Sequence, residues 1–140
     1  MTTKNVIIFT NQDGGVSVCV PTGEIPVEAV QSKDIPVGVQ SHIVDQDSLP
    51  NEHNDFFNAW EQINGAVTVN MDKAREITKA RLRVERAPLL AAQDVLFMKA
   101  QETGADTTAI VAEKNRLRDI TNLVNSATTL EALLAITCEA

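Results

Sequence analysis

The chain has 140 residues, of which 44% are hydrophobic and 22% are charged, and its formal net charge is −7. This composition is typical of a globular protein with a core and excludes a largely disordered chain. The negative charge lies in the first half, because residues 1–70 contain nine acidic side chains but only two lysines, Lys4 and Lys33. An acidic surface repels a phosphate backbone, so we expect no nucleic acid among the partners.

Cysteine content and apolar runs bear on where the protein is made. Cys19 and Cys138 are too few for a disulfide scaffold and lack metal-ligand spacing, so we expect two small core thiols. The apolar run VIIF, at residues 6–9, is too short for a secretory signal. No apolar stretch approaches the roughly 20 residues that span a bilayer. We therefore expect a soluble protein that is made in a cytosol and has no membrane partner.

The first segment with a clear pattern is a β-hairpin over residues 4–21. Two β-branched runs flank the turn-forming cluster NQDGG at residues 11–15, and Val16 and Val18 alternate with smaller side chains. A short helix is predicted over residues 25–30, with a proline in its first turn. Residues 37–44 return to the pattern of a strand.

The next segment, DQDSLPNEHNDF at residues 45–56, predicts a polar loop. The stretch AWEQINGAVTVN then predicts a second hairpin centred on Asn64 and Gly65, a dipeptide that tolerates the positive φ angles of a type I′ turn. The first half of the chain, residues 1–69, is therefore predicted to be a small and mainly antiparallel β lobe.

From Asn70 onward the hydrophobic period changes from two to about 3.6, which indicates helices. Asn70 is placed to cap a long helix that carries an acidic side chain in its first turn. We expect this helix to run to about residue 102, because Thr103 and Gly104 then provide a stop signal.

Two more helices are predicted after the long one. The second covers residues 106–125, and the short link before it makes the two helices antiparallel neighbours. Thr128 and Glu131 form a capping box ahead of a short third helix. The predicted fold class is α+β, with the β lobe at residues 1–69 and a helical hairpin module with a short third helix at residues 70–140.

The second half of the long helix is apolar on two sides. On a helical wheel one continuous stripe is expected to face the second helix. It consists of Ile77, Ala80, Val84, Ala87, Ala91, Val95 and Met98. The matching stripe of the second helix consists of Ile110, Leu117, Ile120 and Val124. Pro88 lies at the change of pattern, so we expect a kink or a break near residues 86–87.

The remaining apolar side chains of the long helix have no predicted helical partner. We assign them to a partner interface, which consists of Leu82, Leu89, Leu90, Leu96 and Phe97. They could be covered by the third helix, by the β lobe through inter-lobe packing of Phe56, Phe57 and Trp60, or by another protein. We favour cover that is shared with a partner or with a second copy, because monomeric proteins seldom expose such a patch.

No catalytic, metal or cofactor signature stands out, so we expect neither enzymatic activity nor a bound cofactor or metal. His42 and His53 lie among several acidic residues, but their spacing fits no known metal motif. A basic run from Lys73 to Arg86 contains six cations and two acids. We expect it to be a solvated helix face, or a face that meets an acidic protein, rather than a phosphate-binding stripe.

Three stretches resemble small proteins of tailed bacteriophages and prophages that are encoded near tail-fibre genes. They are FNAWEQINGAVTVNMDKAREI, RAPLLAAQDVLFMKAQETGADTTAIVAEKNRLRDIT and TTLEALLAI. The resemblance covers residues 55–137 well and the first hairpin loosely, and its motifs include R-A-P-L-L-A and K-x-x-L-R-D-x-T. Leu130 departs from the pattern, which has proline at this place.

The resemblance implies a virion structural protein of the tail or of the tail-fibre attachment region, acting through protein–protein contacts. Its partners would be tail or tail-fibre proteins, and it would form a homo-oligomer in the assembled particle. It would reside in the virion tail, and in the host cytoplasm during assembly. The alternative is a tail-fibre assembly chaperone that is absent from the mature virion.

Overall fold

The computed structural model describes residues 4–139. Antiparallel strands precede a long helix and further helices, which confirms the predicted α+β class. The chain divides into two compact units, of which the N-terminal unit ends at Lys73 and the C-terminal unit begins at Ala74. The sequence had placed the division after residue 69, at the end of the predicted β lobe.

The N-terminal unit contains a three-stranded antiparallel sheet in the order β2-β1-β3. Its strands are β1 (Asn5–Thr10), β2 (Val16–Cys19) and β3 (Ser41–Asp45). The β1–β2 hairpin is the one predicted, and its turn is held by Asn11, whose side-chain oxygen accepts hydrogen bonds from the backbone amides of Asp13 and Gly15. β3 begins later than predicted, because residues 36–39 form a turn in which the backbone N–H of Val39 donates a hydrogen bond to the Pro36 carbonyl.

Helix α1 (Val27–Asp34) follows the first hairpin, with Pro26 at its N-cap. The segment that was predicted as a polar loop contains two 3-10 segments, Gln46–Ser48 and Asn51–Ala59. Local side-chain bonding explains the first of them, since the Asp45 carboxylate accepts from the amide of Asp47 at 3.0 Å.

The second predicted hairpin is confirmed as β4 (Trp60–Ile63) and β5 (Ala66–Val69). Asn64 and Gly65 adopt φ angles of 53° and 87°, which is the left-handed pair that a type I′ turn requires. The core of this unit is built from side chains of both hairpins and of the intervening segment. One cluster of this core consists of Val6, Ile8, Val16, Leu49 and Trp60.

Helix α2 (Met71–Thr103) begins and ends as predicted. The Asn70 side-chain oxygen accepts from the Lys73 amide at 3.0 Å, and Gly104 has a φ of 70° just beyond the last turn. The sequence predicted a kink or a break near Pro88, and the break is wrong because α2 continues through this proline, whereas the kink stays a prediction. The carbonyl that loses an amide partner belongs to Val84, on the exposed side of the helix, where water can bind it.

Three shorter segments complete the C-terminal unit. Helix α3 (Thr108–Asp119) passes into a 3-10 segment, Ile120–Ser126, and helix α4 (Leu130–Ala135) follows. The cap of α4 is Thr129, whose hydroxyl accepts from the Ala132 amide at 3.1 Å, so the predicted cap at Thr128 was one residue early.

The side of α2 that packs against its own unit is not the predicted one. Val84, Val95 and Met98 were expected to face the second helix, but they are 75%, 45% and 57% exposed. The buried positions of α2 are Ala74, Thr78, Leu82 and Ala100. The prediction for the second helix holds better, since its buried side chains are Leu117, Ile120 and Val124.

Candidate protein-interaction surface

The C-terminal unit is held together by arginines of α2 that donate to backbone carbonyls. The donors are Arg75, Arg81 and Arg86. The acceptors are the carbonyl oxygens of Ala127 for Arg75, of Leu133 and Ile136 for Arg81, and of Leu117 and Arg118 for Arg86, at 2.7 to 3.3 Å. Most of these carbonyls lie in the last turn or at the end of a helical segment, where no further amide of the helix follows to bind them.

These bonds change the interpretation of the basic run in α2. Arg75 and Arg86 had been assigned to a solvated face or to a face that meets an acidic protein, but both donate within their own unit. Sequence patterns could not show this, because the acceptors are main-chain groups that every residue carries. Arg86 donates to Leu117 and Arg118, late in α3, whereas Asp94, further along α2, pairs with Lys114, earlier in α3. The two helices therefore run antiparallel.

The last described residues are held in the same way. Arg116 donates to the Cys138 carbonyl at 2.9 Å and forms an ion pair with Glu113 at 2.6 Å. The Cys138 thiol lies 3.6 Å from the Leu82 carbonyl oxygen. Burial raises the pKa of this thiol, and the nearby Glu85 carboxylate raises it further. The thiol is therefore protonated at neutral pH and unsuited to act as a nucleophile.

With the inner face of α2 committed to its own unit, five residues on the outer side face solvent. They are Val84, Pro88, Ala91, Val95 and Met98, and we call them the outer stripe. Every member is exposed, although all five side chains are apolar. A continuous apolar face of this kind on a folded unit is typical of a protein-interaction surface.

Two further exposed leucines lie on a different side of α2 from the outer stripe. Leu89 and Leu96 are 40% and 46% exposed and are separated by two helical turns. Leu89 also lines an open groove of about 450 Å³ with Glu85 and the C-terminal residues Thr137, Cys138 and Glu139. The exposed apolar side chains of α2 therefore include the outer stripe and, apart from it, these two leucines.

The five residues of the predicted partner interface fall into three groups. Leu89 and Leu96 are exposed, as an interface would require. Leu90 and Phe97 are half-buried, and the Phe97 ring lies 5.1 Å from the Lys114 ammonium. Leu82 is fully buried in its own unit, so it does not belong to any surface and its assignment to the interface is corrected.

The three aromatic residues that were predicted to pack between the lobes lie in the N-terminal unit. Phe56 and Trp60 are each 2% exposed, and Trp60 belongs to the core of the sheet and hairpins. The Phe57 ring packs against Trp60 with 4.9 Å between the ring centroids. Their predicted role between the lobes stays a prediction.

Metal-binding clusters and membrane-spanning helices are absent from the part of the chain that the structure describes. Residues 4–139 contain no group of three or more His, Cys, Asp or Glu side chains placed to hold a metal ion. Over the same residues, none of the helices has both the length and the apolar character needed to cross a membrane. Cys19 and Cys138 are both free thiols.

Comparison with known proteins identifies no relative of this chain. No protein-family model, curated protein or solved structure matches it. The resemblance to tail-associated phage proteins therefore stays a prediction, and any functional conclusion depends on the surface of α2 together with that resemblance.

Proposed function

We propose that this chain is a non-enzymatic structural protein of a bacteriophage virion, located in the tail or at the tail-fibre attachment. It acts through protein–protein contacts with tail or tail-fibre proteins and with further copies of itself. It occupies the host cytoplasm only until it is incorporated into the particle.

The observation that carries this proposal is the exposed apolar surface of α2. An apolar side chain that stays in water forgoes on the order of 1.5–3 kcal/mol of burial. Val95, Leu96 and Met98 are each about half exposed, within about one turn of α2. An exposed apolar surface of this kind usually marks a site that a partner covers, and a virion component meets such partners in the assembled tail.

The way the charged side chains are used supports a structural role over a catalytic one. The arginines of α2 donate to backbone carbonyls of their own unit, and the thiol of Cys138 is protonated and buried. Arg81 also holds the pKa of the Glu85 carboxyl below its ordinary value, so this carboxylate is a poor general base at neutral pH. These groups rigidify the helical unit that presents the surface.

Mass spectrometry of purified particles tests the proposal. A virion component should be found in particles that have been separated from the lysate, at a constant ratio to other tail proteins. A chain that is abundant in the lysate and absent from the particles would contradict the proposal and would favour the assembly chaperone instead.

Variants connect that measurement to the surface. Leu96→Glu should leave the helical content unchanged and remove the chain from particles, because Leu96 is half exposed and glutamate is a good helix former. Leu123→Glu provides the matched control, since Leu123 is 55% exposed and lies outside α2. Equal incorporation of both variants would show that the surface of α2 does not carry the function.

A further inference from the structure

The outer stripe has the spacing with which two helices pack side by side. From Val84 to Met98 its members alternate at intervals of four and three residues, which is the seam of a coiled-coil pair. The opposite side of α2 holds Leu82 and Ala100 in the core of the unit. A second helix can therefore lie along the stripe without disturbing the contacts that fold the unit.

Two charged residues mark the same edge of the stripe, one near each end. Glu85 and Lys99 are fourteen residues apart, or about 21 Å along the helix axis. Lys99 has no ion-pair partner within residues 4–139, and the Glu85 side chain is about one-third exposed beside Arg81. In an antiparallel pair of identical helices with Ala91 of one copy against Val95 of the other, each Glu85 lies on the same edge of the seam as the Lys99 of the second copy and can meet it.

The charge along α2 decides the direction of the pair. Residues 73–86 hold six cations and two acids, whereas residues 87–103 hold Lys99 with Asp94 and Glu102. Parallel pairing would place the two basic segments side by side, which costs electrostatic energy. Antiparallel pairing separates them and sets each basic segment near the acidic end of the other helix.

We propose that two copies of this chain associate through the outer stripe, with their α2 helices antiparallel about a two-fold axis near Ala92. Ala91 of each copy lies against Val95 of the other, and Pro88 lies against Met98. The alanines at the centre let the helix axes approach closely. Asp94 falls near the axis, and its charge is offset by Lys114 at 2.6 Å.

The pairing rests on the proposed function, since it names a second copy as one partner of the same surface. It is nevertheless a property of the purified full-length chain, and sedimentation equilibrium measures it directly. Dimers of the wild type should be detected at protein concentrations of up to about 100 µM, which corresponds to a dissociation constant of about that value or lower.

A charge placed in the seam provides the first test. Val95→Glu should weaken dimerisation by more than about 100-fold, because each dimer would bury two unpaired carboxylates. Leu123→Glu, which lies outside the stripe, should dimerise as the wild type does. Circular dichroism should show equal helical content in all three proteins, since Val95 and Leu123 are both exposed.

Exchange of the edge charges tests the direction. Lys99→Glu alone and Glu85→Lys alone should each dimerise more weakly than wild type, because like charges then meet across both edges. An equimolar mixture of the two variants should form a heterodimer with both ion pairs restored. A parallel pair holds residues 85 and 99 about 21 Å apart, so it would show no such recovery.

Three results would overturn the pairing. A wild type that is monomeric at about 100 µM, the top of the range tested, would show that something other than a second copy covers the stripe. A dimer that Val95→Glu leaves unchanged would place the contact elsewhere, and a mixture without recovery would exclude the antiparallel direction. A monomeric chain that is still found in virions would contradict the dimer alone. A dimer that is absent from virions would contradict the proposed function alone.

Discussion

The bond network around Arg81 makes a quantitative prediction about how the helical unit is held together. The substitution is Arg81→Met, which keeps most of the apolar stem of the side chain and removes its donors. Arg81 donates to the Ile136 carbonyl at 2.7 Å and to the Leu133 carbonyl at 3.2 Å. These hydrogen bonds connect the end of α4 with the first half of α2.

The expected cost follows from what each carbonyl keeps. The Leu133 carbonyl would still accept a hydrogen bond from the Ile136 amide at 3.3 Å, so this carbonyl loses only one of its two donors. A hydrogen bond to a charged group contributes about 1.5–3 kcal/mol. The Arg81 side chain is 33% exposed, so water replaces part of what is lost. The exposed ion pair with Glu85 adds only a few tenths of a kcal/mol. We expect Arg81→Met to lower the free energy of unfolding by about 2–3 kcal/mol.

Urea unfolding followed by circular dichroism measures this loss, and amide hydrogen exchange over residues 130–138 locates it. Arg83→Met is the matched control, because Arg83 is an exposed neighbour on α2 that donates to no carbonyl within residues 4–139. The control should cost less than about 0.5 kcal/mol, as surface substitutions usually do. Equal losses for the two variants would refute the reasoning.

Three further predictions concern the two cores and the pH dependence of stability. Leu117→Ala should cost about 2–5 kcal/mol in urea unfolding, because Leu117 is fully buried, and a loss below about 0.5 kcal/mol would contradict its place in the core. Trp60 fluorescence should be blue-shifted in the folded protein and move to the red on unfolding, whereas native emission like that of free tryptophan would contradict its burial. Hydrogen bonds from Lys73 and Asn70 hold the pKa of Glu61 below its ordinary value near 4.5. The stability from ionised Glu61 is complete above the unfolded-state pKa and is lost as pH falls through the lower folded-state pKa. The urea midpoint should therefore drop below about pH 4.5 more for the wild type than for Glu61→Gln, and parallel pH profiles would exclude this contribution.

Local signals were sufficient for most of the secondary structure. The turn around Asn64 and Gly65, the cap at Asn70 and the stop at Gly104 are all where the sequence placed them. Each depends on hydrogen bonds or dihedral angles within a few residues, so the local amino-acid sequence is enough to predict it. The late start of β3 and the two 3-10 segments were not predicted. No regular hydrophobic pattern marks these residues, so weak local hydrogen bonds decide their conformation.

The candidate surface was found only in part, because its location depends on which face of α2 turns inward. The sequence identified two apolar sides in the second half of the helix and assigned Leu82 to the wrong one. Leu89 and Leu96, seven and fourteen residues after Leu82, share its side of the helix but are 40% and 46% exposed. All members of the outer stripe except Pro88 were expected to lie in the buried seam of the helical hairpin.

By itself the sequence determined the class of the fold, the positions of the hairpins and helices, and the excess of apolar side chains on α2. These follow from hydrophobic period, turn chemistry and capping, which act over short distances. Only the tertiary structure decided which side of α2 is inside, because two apolar faces gain similar energy from burial. In the folded unit, arginines of α2 also reach main-chain carbonyls of other segments, and those acceptors have no signature in the sequence.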